Sequence, residues 1–190
     1  MEVKIGNFIL FIVDKSLFGL VKDVLYVCVY VPPEGSRYYT YMDMNTDGMS
    51  MLEDCLIDNA LDQNDFYVIL SGDLNGRTSS ASQFVTADPV INPTCLSDPI
   101  NDRSSQDKQM NGYGKSLLDM CTALNLCILN GMCHGDLEGR YTYISDSGSS
   151  VIDYFLMSVD LFAGMADSCH LRVVDRIDTC HSPLVLSVTF

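Results

Sequence analysis

The feature that most constrains the fold of this chain is the order of its apolar segments, which alternate between strand-like and helix-like patterns. Residues 8–13 and 24–31 are rich in β-branched and aromatic side chains, and Pro32-Pro33 end the second run. Apolar residues then recur at spacings of three and four over residues 49–60, which predicts an amphipathic helix. A short strand is predicted over residues 66–72. This alternation is typical of an α/β domain.

The second half of the chain repeats this alternation. A second amphipathic helix is predicted near residues 117–124, and it leads into the strand LCILN. Residues 76–113, between the two helices, are polar and interrupted by prolines, so we predict a long surface loop there. The remaining apolar runs, separated by Gly, Ser and Asp turns, predict the strands RYTYI, VIDYFLM, HLRVVD and PLVLSVTF. No internal repeat or linker divides the chain, and residues 1–190 are interpreted as one domain.

Composition excludes some classes of protein. A hydrophobic content of 47% is enough for a core, yet no apolar run reaches the roughly 20 residues of a membrane helix. The N-terminus lacks the pattern of a secretory signal. Most of the eight cysteines lie in apolar segments, so we expect reduced core thiols and an intracellular protein.

The net charge of -14 argues against a large nucleic-acid-binding surface. Only 11 Lys and Arg residues are spread along the chain, without a basic cluster, whereas a tight grip on a phosphate backbone needs many such contacts. An acidic protein can still cleave phosphodiesters when a metal ion neutralises the local field. The charge therefore disfavours tight DNA binding but leaves phosphoester chemistry open.

Polar residues at the ends of the predicted strands are the candidates for chemistry. In VILSGDLNGR the strand runs into Asp73 and Asn75, which the two-residue strand period places on one side of the chain. A carboxylate there can activate a water molecule, and an amide can hydrogen-bond a phosphate oxygen. The alternative is an ordinary turn, because Asp, Asn and Gly all favour turns.

A second pair of candidates lies further along the chain. Asp153 interrupts the apolar strand SSVIDYFLM, where an ionised group needs a partner, and His181 precedes the last apolar run. A carboxylate that binds one imidazole nitrogen leaves the other nitrogen for a phosphate. The alternative for Asp153 is a rim residue that caps a turn.

Taken in order, these segments resemble the endonuclease/exonuclease/phosphatase superfamily, and most of all the endonuclease domain of non-LTR retrotransposons. The motifs that carry the resemblance are VCVYVPPEGSRYY, SGDLN, GKSLLDMCTALNLCILNG, GRYTYISDSGSSVIDYFL and CHSPL. The resemblance implies a four-layer α/β sandwich of two packed mixed sheets with outer helices and an active site at one end of the sheets. It also implies hydrolysis of phosphodiesters, most of all in DNA, with Mg²⁺ or Mn²⁺ as cofactor.

The resemblance assigns a role to each candidate residue. Tyr30 matches a tyrosine that contacts the scissile phosphate, and Asp73 matches the aspartate that positions or deprotonates the attacking water. Asn75 matches the asparagine beside that aspartate. Of the metal ligands that the family pattern implies, we expect this chain to supply Asp73 and Asn75. Thr142 stands where retroelement endonucleases have a threonine near the substrate.

The resemblance further implies that Asp153 pairs with His181, which stabilises charge on the phosphate. The chain departs from the family pattern at Cys180, where the usual motif Ser-Asp-His becomes Thr-Cys-His, and a thiol is a poor ligand for Mg²⁺. None of the four glutamates follows a strand as the family's metal-binding glutamate does, and we expect the first strands of the fold to be missing.

Three interpretations follow from these matches and departures. The first is a metal-dependent phosphodiesterase by descent, with impaired activity. The second is an inactive pseudo-enzyme that binds a protein partner at an exposed sheet edge. The third, a cysteine-based metal or redox protein, is disfavoured because the chain contains no Cys-x-x-Cys motif.

Overall fold

The computed structural model describes residues 2–5, 7–42, 46–61, 66–81, 103–175 and 179–189. The strands are β1 (Glu2–Ile5), β2 (Phe8–Val13), β3 (Asp23–Tyr30), β4 (Phe66–Asp73), β5 (Leu126–Ile128), β6 (Tyr143–Ser145), β7 (Gly148–Ser150), β8 (Asp153–Ser158), β9 (Cys169–Val173) and β10 (Leu184–Val188). The helices are α1 (Arg37–Tyr41), α2 (Gly48–Leu56), α3 (Gly112–Ala123) and α4 (Val159–Met165).

A six-stranded mixed sheet forms the centre of the molecule, with the strand order β1-β2-β3-β4-β8-β5. Only β3 and β4 run parallel, because the segment that contains α1 and α2 returns the chain to the same end of the sheet before β4 begins. The other neighbouring pairs are antiparallel. Both faces of the central strands are apolar, so both must be covered.

Two helices cover one face of this sheet. An aspartate caps α2, where the Asp47 carboxylate accepts hydrogen bonds from the backbone N–H groups of Met49 and Ser50. Asn111 caps α3 in the same way through the N–H of Gly114. The apolar faces of the two helices bury one hydrophobic core against the sheet, with Leu52, Leu56, Leu117, Met120, Val27, Leu70 and Leu156 among its members.

The opposite face is covered over part of its width by the antiparallel hairpin of β9 and β10 together with α4. Phe155 and Met157 of β8 pack against this hairpin in a second core, which also contains the free thiols of Cys127, Cys133 and Cys169. β10 itself contacts β8. The outer face of the hairpin, including Val185, is exposed to solvent.

The structure confirms the predicted α/β class with two packed sheets, of which the second has two strands among the described residues. A third, two-stranded sheet is formed there by the antiparallel hairpin of β6 and β7. The predicted strands, and both predicted helices, are present with shifts of a few residues at their ends. β1, β7, α1 and α4 were not predicted. In the described part of the chain, no helix is long and apolar enough to cross a lipid bilayer.

Residues 82–102 of the predicted loop lie outside the described residues. The described flanks of this segment pack into the fold, since Arg103, Ser105 and Asp107 are buried. Asp107 receives two hydrogen bonds from the guanidinium group of Arg77, at 2.7 and 2.8 Å, and one from the backbone N–H of Val151. These bonds fix the chain around the end of β4.

Candidate functional site

Three polar side chains lie in one row across the central sheet. Tyr30 at the end of β3 is paired in register with Asp73 at the end of β4, and Asp73 is paired with Asp153 at the start of β8. The row lies on the face of the sheet that the β9–β10 hairpin partly covers, because Tyr26, Ile69 and Phe155 of that face are an even number of residues away from these side chains along the same strands. The register of three strands therefore places the candidates at one end of the cleft between the sheets.

His181 reaches this row from the segment that precedes β10. Its Nδ1 lies 3.1 Å from each carboxylate oxygen of Asp153. A backbone bridge to Tyr143 and an edge-on contact between the two rings, with centroids 5.0 Å apart, hold the imidazole in place. Since Asp153 occupies Nδ1, the Nε2 atom is the one left to interact with a ligand. The predicted pairing of Asp153 with His181 is present in the structure.

The two carboxylates of the row are unequal in their surroundings. Burial raises the pKa of Asp73 to about 6, and the nearby charge of Asp153 acts in the same direction. Burial also raises the pKa of Asp153, against the opposing effects of a hydrogen bond from Thr142 and of His181. Asp73 thus has the properties of a proton acceptor near neutral pH, and Asp153 is committed to the imidazole.

Asn75 lies beside Asp73, but for a different reason from the one predicted. β4 ends at Asp73, and Asn75 adopts a left-handed conformation with φ of 48°, so strand alternation does not extend to it. Its backbone N–H donates to Asp73 Oδ1 at 3.0 Å, and its side-chain amide donates to the carbonyl oxygen of Val31 at 2.8 Å. Asn75 therefore orients the Asp73 carboxylate through the turn that follows the strand.

Thr142 is completely buried, which corrects the expectation that its side chain contacts a substrate. Its hydroxyl oxygen accepts hydrogen bonds from the backbone N–H groups of Ile152 and Asp153, at 3.1 and 3.0 Å. The same hydroxyl also bonds the Asp153 carboxylate. Thr142 is a positioning residue that holds Asp153 in the direction of His181.

Two residues that support the site were not predicted from the sequence. Asn130 is completely buried, and its side chain accepts from the N–H of Phe155 and donates to the carbonyl oxygen of Asp153. Tyr143 contacts the imidazole of His181. The position of Asn130 at the end of the apolar run LCILN is a signal that could have indicated a role for it. No local signal in the sequence distinguishes Tyr143 from its neighbours.

The chemistry of the donor set suits a cation. Asp73, Asp153 and His181 each offer one ligand atom, and these atoms all lie within 4.8 Å of one another. Two carboxylates on adjacent strands repel each other, and a divalent ion relieves that repulsion. Carboxylate oxygen is the preferred ligand of Mg²⁺. Cys180 is exposed beside His181 and adds no hard oxygen ligand from its side chain.

An open cavity of about 370 Å³ adjoins this cluster. Its lining includes Asp153, His181 and Ser182 on the site side and Phe155 and Leu184 deeper in the cleft. Asp73 is outside this lining, although it is the direct neighbour of Asp153 in the sheet. The site is therefore the cluster of ligand atoms of Asp73, Asp153 and His181, and the cavity is open space that adjoins this cluster.

No family model and no curated protein matches the sequence. Solved structures with a similar fold include the endonuclease domain of TRAS1, a telomere-specific non-LTR retrotransposon, with a TM-score of 0.59 and 16% identity over 100% of this chain. They also include the 3′-5′ exonuclease NExo from Neisseria meningitidis, with a TM-score of 0.55 and 17% identity over 97% of this chain. A Neisseria NExo 3′ phosphatase bound to a product DNA hairpin gives a TM-score of 0.54 and 18% identity over 97%.

The chain spans 68% of the length of the TRAS1 domain and 65% of each NExo chain. At 16 to 18% identity, these likenesses establish the architecture. The chain has the α/β fold of the endonuclease/exonuclease/phosphatase proteins.

Proposed function

We propose that this chain is a metal-dependent phosphodiester hydrolase of the retroelement endonuclease type, with DNA as its substrate and with a reduced rate. The observation that carries the proposal is the cluster of Asp73, Asp153 and His181 at one end of the cleft. The structural neighbours support the substrate class, because one is an endonuclease domain and another is bound to a DNA hairpin.

Each side chain of the site has a separate role in an in-line displacement at phosphorus. Asp73, with its pKa near 6, orients the attacking water and accepts its proton. His181, whose Nδ1–H donates to Asp153, donates a second hydrogen bond in its imidazolium form from Nε2 to a phosphoryl oxygen as negative charge develops there. The hydroxyl of Tyr30, which is 48% exposed at the end of β3, contacts the same phosphate.

A divalent ion such as Mg²⁺ would be held by Asp73, with Asn75 close by, and would supply neutralisation of charge on the leaving oxygen. Few protein oxygens are available for that task. The described cluster contains two carboxylates, and Asp153 is already engaged by His181. The weak donor set is the reason for the reduced rate that we propose, because each lost electrostatic contact costs about 10²- to 10³-fold.

A supercoiled-plasmid nicking assay with Mg²⁺ or Mn²⁺ tests this proposal. Asp73→Asn keeps the shape of the side chain and removes its basicity, so we expect a rate loss of about 100-fold or more. The matched control is Asp119→Asn, which makes the same change at an exposed position of α3 and should leave the rate unaltered. Equal nicking by the chain and by Asp73→Asn would contradict the proposal.

The second candidate function is a protein-binding module of the same fold without turnover. The observation that favours it is the small second sheet, in which β10 is paired on one side by β9 among the described residues. An unpaired strand edge beside apolar surface is a ready template for another polypeptide. Metal-dependent turnover that disappears in Asp73→Asn would exclude this candidate as the main function.

A further inference from the structure

Two cysteine thiols face each other in the second core, apart from the cluster of Asp73, Asp153 and His181. The thiol of Cys133 donates a hydrogen bond to the sulfur of Cys169 at 3.6 Å, and the two residues are 36 positions apart in the sequence. Both side chains are buried, with exposed fractions of 2% and 1%. The chain contains no Cys-x-x-Cys motif, so the fold alone brings this pair together.

The backbone holds the two cysteines at a separation that suits a disulfide. The segment after β5 forms a parallel bridge with β9 in which His134 is paired with His170, and the N–H of Leu171 donates to the carbonyl oxygen of His134 at 2.9 Å. Cys133 and Cys169 each precede one of the paired histidines, so they lie in register on neighbouring segments. Neighbouring segments of this kind are about 4.8 Å apart. A disulfide needs Cα atoms about 4.4 to 6.8 Å apart.

Both thiols point to the same side of these two segments. Successive side chains alternate in direction, and the two cysteines lie in the second core whereas His134 and His170 are exposed. Gly135 keeps the segments close, because a Cβ atom there would collide with the ring of His170 and with the carbonyl oxygen of Leu171. Rotation of the two side chains therefore brings the sulfurs together while the segments stay in register.

The two thiols are not equivalent. Because Cys133 donates the hydrogen bond, it stabilises a thiolate on Cys169 and lowers the pKa of Cys169, against the opposing effect of burial. The same hydrogen bond, together with burial and the nearby charge of Asp136, raises the pKa of Cys133. The thiolate is the nucleophilic form of cysteine, so Cys169 is the residue that reacts first.

Cys127 is a third thiol of the same core, and its hydrogen bond goes elsewhere. Its Sγ donates to the carbonyl oxygen of Met157 at 3.3 Å, and the side chain is completely buried. Ionisation of Cys127 would remove this hydrogen bond, and burial raises the pKa of its thiol to about 12. Cys127 is therefore a matched control for the pair.

We infer that Cys133 and Cys169 are a peroxide-sensitive dithiol that closes to an intrachain disulfide. In the first step, the Cys169 thiolate attacks one oxygen of hydrogen peroxide. An S–O bond forms, the O–O bond breaks, and the leaving hydroxide takes up the proton that the thiol released, so that a sulfenic acid and water result. In the second step, the sulfur of Cys133 attacks that of Cys169. The S–S bond forms, the S–O bond breaks, and a second water leaves with the proton of Cys133.

Burial determines which oxidant can react. Thiol–disulfide exchange requires an incoming disulfide to reach the attacking sulfur, and thiols that are 1 to 2% exposed offer no surface to a peptide disulfide such as oxidised glutathione. Hydrogen peroxide is little larger than water. The product joins β9 to the segment that follows Asn130, whose side chain donates to the carbonyl oxygen of Asp153. This inference does not depend on the proposed hydrolase activity.

The test is treatment of the folded chain with excess hydrogen peroxide, followed by alkylation of the remaining thiols, digestion and tandem mass spectrometry. We expect a link between Cys133 and Cys169 as the main intrachain link, formed at a rate that is independent of protein concentration. The thermal unfolding midpoint should rise by about 4 to 15 °C, and dithiothreitol should reverse the rise. Absence of this link, or a main link between another pair of the eight cysteines, would overturn the inference.

Matched variants remove one thiol each from the same core. Cys133→Ala should lose the link and the rise in midpoint and should leave Cys169 as a sulfenic or sulfinic acid, whereas Cys127→Ala should retain the link. Equal linkage in both variants would overturn the inference, and an unoxidised Cys169 in Cys133→Ala would overturn the order of attack. Should Cys133→Ala fail to fold, the link found in the unaltered chain decides without it.

Oxidised glutathione in place of peroxide tests the class of oxidant. We expect no link in the folded chain, because the disulfide cannot reach the buried sulfurs. A link that forms as fast with oxidised glutathione as with peroxide would show exchange through an opened state, and would overturn peroxide as the oxidant.

Discussion

The pKa of Asp73 determines how the proposed activity depends on pH. The side chain must be ionised to accept a proton from water, and its pKa lies at about 6. We therefore expect the nicking rate to rise as pH increases from 4 to about 7, in assays at fixed salt and metal concentration, with the midpoint of the rise below 6 because a bound cation favours the ionised carboxylate. Asp73→Asn should abolish the rise together with the activity. A rate that is independent of pH across this window would contradict Asp73 as the proton acceptor.

Thr142 gives a second prediction at the scale of single residues. Thr142→Val preserves the shape of the side chain but leaves two buried N–H groups, those of Ile152 and Asp153, without an acceptor. We expect the free energy of unfolding to fall by about 1 to 3 kcal/mol per unsatisfied group, measured by urea denaturation. Thr142→Ser is the control, because it retains the hydroxyl and should recover most of the stability. Equal losses in both variants would assign the effect to packing.

At the scale of elements, Gly72 shows how closely β4 is fitted to β3. Its φ of 149° is unfavourable for other residues, and a Cβ atom there would lie 1.8 Å from the carbonyl oxygen of Val29. Gly148 has a similar φ of 143° and no neighbour within 4 Å. Gly148→Ala therefore isolates the backbone strain, whereas Gly72→Ala adds a clash with the neighbouring strand.

We expect Gly148→Ala to lower the free energy of unfolding by about 1 to 3 kcal/mol, which is the usual cost of such strain. Gly72→Ala should lower the free energy of unfolding by about 2 to 6 kcal/mol. The displacement of β3 costs about 1 to 3 kcal/mol in addition to the backbone strain. Urea denaturation of the two variants measures both terms. Equal effects would show that β3 and β4 separate without cost at this position.

The elements differ in how far local sequence determined them. β2 was predicted with its observed bounds because an uninterrupted apolar run of six residues gives an unmistakable strand signal. α4 was missed because seven residues are too few to establish a helical period, and its N-cap residue makes no side-chain capping bond. The four residues of β1 are similarly too short.

The candidate site likewise contains residues whose role the sequence predicted and residues whose role it did not. Asp73, Asp153 and His181 were predicted together because strand ends and the family resemblance indicated one cleft. The role of Thr142 was not predictable, since the burial of a side chain depends on packing between distant segments.

At the scale of the whole molecule, buried carboxyl groups make stability fall as the site becomes charged. The pKa of Asp73 in the folded protein, about 6, exceeds its ordinary value of 3.8, and burial raises the pKa of Asp153 as well. Between pH 4 and 6, the folded state therefore binds more protons than the unfolded state. The stabilising contribution is complete below pH 4 and is lost as pH rises through about 6. We expect a lower thermal unfolding midpoint at pH 7 than at pH 5.

Divalent cations should reverse this loss, because they bind the ionised cluster and not the protonated one. Addition of Mg²⁺ or Mn²⁺ is expected to raise the unfolding midpoint at pH 7 and to have a much smaller effect at pH 5, where protons compete for Asp73. Asp73→Asn should remove most of the metal effect, whereas Asp119→Asn on α3 should retain it. Equal midpoint shifts at the two pH values would place the bound ions elsewhere on the acidic surface. Because this experiment measures binding and not turnover, it tests the metal site even in a chain that does not cleave DNA.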